Sequence, residues 1–162
     1  MNRAKILVSA CLLGERVRYD GAVISCPNPV LGKWIDEGRV VPVCPEVSGG
    51  LPVPRPPAEI QGGDGGDVVA GTAAVINIAG EDVSEAYLSG AKEALRLAEE
   101  HKVVCAILKA RSPSCGNRQI YDGHFSERLI DGQGVAAALL AANGFQVFNE
   151  EEIDQAADWI GA

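Results

Sequence analysis

The chain has 162 residues, 47% hydrophobic and 22% charged, with a net charge of −8 and a pI near 4.7. That length suits one domain, 1–162, with a sizeable core. The acidic balance excludes long DNA or RNA, whose phosphates are gripped by basic surfaces.

Ile6–Ala10 follows a basic start and faintly imitates a lipoprotein signal ahead of Cys11. The run is shorter than the ~7 apolar residues of a signal core, and no stretch reaches the ~18 of a membrane span. A cytoplasmic protein is expected, with no membrane partner.

In chain order, residues 4–10, AKILVSA, read as a strand buried on both faces. A polar loop follows, and then NPVLGKWIDEG, a short helix with proline at its start. RVVPVCPE is a second strand, where Pro42 demands an edge or a bulge. The proline- and glycine-rich residues 48–66 are too irregular for a packed element, hence functional or disordered. Within them GGDGGD lacks the order of a phosphate loop and reads as a flexible turn. AAVIN is a small strand or hairpin.

From Ser84, a plausible cap, Tyr87, Leu88, Ala91, Leu95 and Ala98 recur at helical spacing. The strand VVCAILKA, the SPSCG loop and a polar loop holding YDG come next. GVAAALLAANG is a helix closed by Gly144, FQVFN a last strand and EEIDQAADWI a terminal helix. Alternating strands and helices give the expected fold: a three-layer, Rossmann-like α/β domain, its mostly parallel sheet covered by helices on both faces.

The five cysteines, at positions 11, 26, 44, 105 and 115, show no CxxC and no zinc-ribbon spacing. Cys11, Cys44 and Cys115 each follow a strand expected to be parallel, so they should meet in the crevice at the carboxyl edge of the sheet. Cys105, mid-strand, reads as a small hydrophobe; Cys26 fits either kind. Two readings of the three strand-end thiols stay open here, buried filler or a shared thiolate site for a soft metal or iron–sulfur cluster. With three ligands, one iron would keep a position open to substrate.

Glu46 sits two residues after Cys44, where neighbouring thiolates should raise its pKa toward acid–base use. Ser112 and Ser114 bracket Pro113 just before Cys115 and can donate to sulfur or substrate. Arg16, Arg18, Arg55, Lys109, Arg111 and Arg118 supply local positive charge near these motifs. Arg55 and Ser114 are the candidate substrate contacts. His101 and His124 lack metal-ligand spacing, and no nucleophile elbow suggests Ser–His–Asp chemistry.

VSACLLG with RYDG, then CPE with GGLPVPRPPAEI, then LKARSPSCG resemble a bacterial family long labelled a domain of unknown function, whose characterised members are thiouracil desulfidases. The resemblance spans nearly the whole chain, without the extra carboxyl-terminal domain of some members. It implies a [4Fe-4S] cluster on Cys11, Cys44 and Cys115, with one open iron for the thiocarbonyl sulfur. It further implies Glu46 as the residue that activates water and shuttles the proton, and Ser112 as the residue that positions substrate. The implied reaction is non-redox hydrolysis of a thiolated pyrimidine, 2-thiouracil or a thiouridine nucleotide, with release of hydrosulfide. The competing reading is a non-catalytic iron–sulfur or zinc module, structural or redox-sensing. A metal-free nucleotide-binding protein is disfavoured by the missing glycine fingerprint. No heptad or long amphipathic seam bears on oligomeric state.

Overall fold

The computed structural model describes residues 4–14, 18–21 and 27–161. Arg16 and Cys26, both singled out above, lie outside the described residues. The centre is a four-stranded parallel sheet of β1 (Ile6–Ser9), β2 (Val40–Val43), β5 (Cys105–Leu108) and β8 (Gln146–Asn149), in the order β2-β1-β5-β8. The inner strands β1 and β5 are buried along their whole length, as continuous apolar runs in a parallel sheet should be. Pro42 lies in edge strand β2 and is exposed, so its missing N–H costs the ladder nothing.

From β1 the chain steps outward to β2, then crosses back to β5 on the other side of β1 and on to β8. Right-handed crossovers in opposite directions put their helices on opposite faces. Leu31 and Trp34 of α1 (Pro29–Asp36) and Ile153 and Ala156 of α6 (Ile153–Ile160) pack with Ile6, Val8 and Ile107 on one face. Ala94 and Ala98 of α4 (Ser84–Glu100) and Ala137 and Leu140 of α5 (Val135–Ala142) pack with Leu7, Ala106 and Leu108 on the other. The three-layer α/β fold expected from the sequence is present.

Around this frame lie the short helix α2 (Pro45–Ser48), the antiparallel hairpin β3 (Ala58–Gln61)–β4 (Ala74–Asn77), and α3 (Gly65–Ala70) between its strands. A second hairpin joins β6 (Gln119–Tyr121) to β7 (Leu129–Asp131). Ile60, Val75 and Ile120 from the hairpins share a core with Tyr87 and Ala91 of α4 and Val135 and Ala136 of α5. The hairpins are therefore fastened to the starts of the two helices.

Three local expectations need correction. Residues 48–66 contain a packed strand, β3, and GGDGGD is a helix start: Asp64 and Asp67 form a reciprocal capping box on α3. The polar stretch around YDG is the β6–β7 hairpin, its strands too short for alternation to register in sequence. Ser84 opens α4 as a helical residue; its amide donates to Asp82 Oδ1 at 2.9 Å, and its own hydroxyl accepts the Val75 amide at 2.8 Å. Among the described residues, no helix is long and apolar enough to cross a membrane.

Candidate active site

β2, β1 and β5 are adjacent, so whatever follows their carboxyl ends must meet. After β1 a 3-10 turn, Ala10–Leu13, carries Cys11. Cys44 directly follows β2 as the cap of α2, and Cys115 lies in the loop after β5. All three thiols line one cleft of about 580 Å³, together with Glu46, Arg55, Lys109, Ser112 and Tyr87. Cys105 is wholly buried in β5 and takes no part in the cleft.

The SPSCG loop is held from two sides. The Ser112 hydroxyl accepts the Ser114 amide at 3.0 Å and the Cys115 amide at 3.1 Å. The first turn of α5 supplies the second grip. Its cap residue, Gly134, has no side chain to satisfy the orphan amides of a helix start. Val135 donates instead to the Pro113 carbonyl, and Ala136 and Ala137 to that of Ser114. Contact is so close that a Cβ on Gly134 would lie 2.5 Å from the Ser114 carbonyl carbon and 2.8 Å from the Cys115 nitrogen.

Ser114, expected at the substrate, is elsewhere. It is fully buried, it is not among the cleft-lining residues, and its hydroxyl has no hydrogen-bond partner among the described residues. Its backbone carbonyl, which caps α5, is the part in use. Arg55 does line the cleft, yet its side chain is turned to Glu46. Nε and Nη2 donate to Glu46 Oε2 at 3.2 and 2.9 Å, and Nη1 donates to the Pro52 carbonyl at 3.2 Å. Arg55 thus anchors the glutamate from within the cleft lining.

Two further side chains at the cleft were not assigned to it by the sequence reading. Tyr87, one apolar-stripe residue among several by spacing, donates its hydroxyl to Glu46 Oε2 at 3.1 Å. Ser9, the last residue of β1, accepts the Lys109 amide at 2.9 Å and donates toward the Cys115 sulfur. Neither a buried tyrosine nor a strand-end serine carries a sequence signal for such a role. Lys109 pairs with Glu150 at 2.8 Å, and Arg111 with Glu151 at 3.0 Å. Arg18 pairs with Asp20 at 3.4 Å on the cleft rim, while Arg118 pairs with Glu152 in a smaller neighbouring cleft.

The donor set suits an iron–sulfur cluster. Among the described residues Cys11, Cys105 and Cys115 are free thiols. Burial first, then the nearby Cys44, pushes the Cys11 thiol up to about 12. Burial and the Glu46 charge raise Cys115 further, with Cys11 and Cys44 adding to the shift, and burial raises Cys44. These shifts hold the thiols protonated, and for all three to ionise together beside a carboxylate they would need nearby positive charge, such as bound iron would supply. Among the described residues no three His, Cys, Asp or Glu side chains are grouped to hold a single metal ion. In a cluster each thiolate binds a different iron, so the sulfurs need not converge on one point.

Apolar side chains and strained backbone also line the cleft. Tyr19, Ile78, Tyr121 and Phe125 are among its residues, and Phe125 holds a left-handed φ of 54°. Glu59 keeps that turn in place, Oε1 accepting the amides of Gly123 at 2.9 Å and Phe125 at 3.2 Å. Arg111 and Glu127, with φ of 67° and 62°, also line the cleft. Backbone held in this region costs roughly 1–3 kcal/mol per residue and gathers where function requires it.

Known proteins resemble the chain over most of its length. Residues 6–152 match the family model described as 2-thiouracil desulfurase. The chain is 46% identical over 149 residues to the uncharacterized protein YbbK of Bacillus subtilis (strain 168), covering 92% of this chain and 97% of that protein. It superposes on a solved structure of the [4Fe-4S]-dependent thiouracil desulfidase TudS with a TM-score of 0.90 and 42% identity, over 98% of this chain and 99% of the other. The strand-end thiols and their glutamate therefore sit in a member of the 2-thiouracil desulfurase family, enzymes that break carbon–sulfur bonds.

Proposed function

We propose that residues 1–162 act as one cytoplasmic [4Fe-4S]-dependent desulfidase that hydrolyses a thiolated pyrimidine, 2-thiouracil or a thiouridine nucleotide. One observation carries the reading: Cys11, Cys44 and Cys115 share a single cleft with Glu46 and Ser112. The three cysteines would hold the cluster and leave one iron without a protein ligand. When bound, that iron supplies a Lewis acid for the thiocarbonyl sulfur.

The remaining chemistry belongs to the chain. Arg55 and Tyr87 occupy Glu46 Oε2, which leaves Oε1 with one hydrogen bond among the described residues, a long 3.4 Å contact from the Ser112 hydroxyl. Oε1 takes a proton from water, whose oxygen attacks the thiocarbonyl carbon. A C–O bond forms and the C–S bond breaks; the proton on Oε1 passes to the departing sulfur to give hydrosulfide, the second water proton goes to solvent as the carbonyl forms, and no electrons are gained or lost. Ser112, its oxygen fixed by two amides, aims its own proton at Oε1, where it can orient water or the ring. The wall of Tyr19, Ile78, Tyr121 and Phe125 suits the face of a flat pyrimidine.

The test is anaerobic reconstitution with iron and sulfide, iron counting, and a sulfide-release assay on 2-thiouracil. About four irons per chain, from one cluster, together with released sulfide is the expected result. Bound iron without sulfide release from base or nucleotide would favour the non-catalytic module. No iron uptake would sink the cluster assignment.

A further inference from the structure

The buried stripe of α4 is almost entirely small: Gly90, Ala91, Ala94 and Ala98 follow Tyr87. That composition lets α4 approach α2 until backbones touch. A Cβ on Gly90 would collide with the Pro45 carbonyl, and one on Gly49 with that of Ala86. Tyr87 is the one large side chain of the stripe, 2% exposed, and its hydroxyl meets Glu46 Oε2 at 3.1 Å. A buried phenol must satisfy its hydroxyl, and here the partner is the carboxylate that follows Cys44. Arg55, nine residues after Glu46, reaches the same oxygen.

We propose that Tyr87 is a positioning residue for the desulfidase reaction: its hydroxyl and Arg55 together pin Glu46 Oε2, so that Oε1 alone faces Ser112 and substrate. The inference rests on the function proposed above. Two donors on one oxygen restrict rotation of the carboxylate, which otherwise presents either oxygen. The glycines seat α4 directly against α2, where a Cβ at Gly49 or Gly90 would not fit. Tyr87 touches neither water nor substrate in this role; it acts through Glu46.

The decisive variant is Tyr87→Phe, which keeps the ring and its packing. In the reconstituted enzyme kcat and kcat/KM should fall together, by up to about 100-fold, leaving KM in place. Iron content and visible absorbance should not change. In a Glu46→Gln background Tyr87→Phe should cause no further loss, as expected of two residues acting as one unit. A crystal structure of Tyr87→Phe should show the Glu46 carboxylate in more than one orientation. Full activity in Tyr87→Phe, additive loss with Glu46→Gln, or an unmoved carboxylate would each overturn the proposal. If the wild-type chain releases no sulfide from any thiopyrimidine, the functional reading falls, while the carboxylate orientation still decides whether Tyr87 positions Glu46.

Discussion

Ser112 Oγ accepts the Cys115 amide at 3.1 Å, so the hydroxyl proposed to orient substrate and a thiol proposed to hold the cluster belong to one hydrogen-bonded turn. The same oxygen accepts the Ser114 amide. Ser112→Ala should therefore act twice. It strands two amides, lowering stability by about 1 kcal/mol, and it removes the hydroxyl beside Glu46, lowering kcat by about 100-fold. Melting curves and sulfide-release kinetics separate the two effects.

Cys115→Ser should abolish the visible absorbance of the reconstituted protein and its sulfide release. Cys105→Ala should leave both intact and cost roughly 1 kcal/mol, since Cys105 fills core in β5. Loss of absorbance in the Cys105 variant would count against the three-ligand assignment.

Gly134→Ala drives a Cβ to within 2.5 Å of the Ser114 carbonyl carbon and must displace the SPSCG loop. Destabilisation of about 1–3 kcal/mol and poor iron retention are expected. Gly32→Ala is the contrasting change: the position is helical, and an added Cβ meets nothing within 4 Å. It should stabilise the fold by about 0.5–1 kcal/mol, read by urea denaturation, with unchanged activity.

Phe125→Ala removes an aromatic face from the apolar wall without touching Glu46 or the thiols. KM for 2-thiouracil should rise while kcat stays near wild type, the pattern of lost uniform binding. Phe125→Tyr should restore KM. A fall in kcat at constant KM would move Phe125 out of substrate binding.

Glu152 predicts a pH dependence away from the cleft. Burial works against its charge, but hydrogen bonds from Arg118, Asn117 and the Asn149 amide prevail and hold its pKa below the usual 4.5. A depressed carboxylate contributes stability above its unfolded pKa and loses it as pH falls through the folded one. Wild type should thus exceed Glu152→Gln in melting temperature at neutral pH, and the gap should close below about pH 4.5.

The sequence by itself determined the layered fold, because β1 and β5 are continuous apolar runs and α4 keeps its small buried face at helical spacing. It also singled out Cys11, Cys44 and Cys115, since a residue just past a parallel strand has only one edge of the sheet to occupy. Glu46 and Ser112 were legible through their nearness to those cysteines in sequence. Tertiary structure alone decided which side chains serve them. Tyr87 and Ser9 reach the site from 41 residues beyond Glu46 and from the end of β1, by contacts that no local pattern encodes. Ser114, adjacent to Cys115, points the other way, because in a tight turn neighbouring side chains diverge and its carbonyl is committed to capping α5. Local periodicity records burial, whereas a site is assembled by close approach of distant backbone, as Gly90 against Pro45 and Gly134 against Ser114 demonstrate.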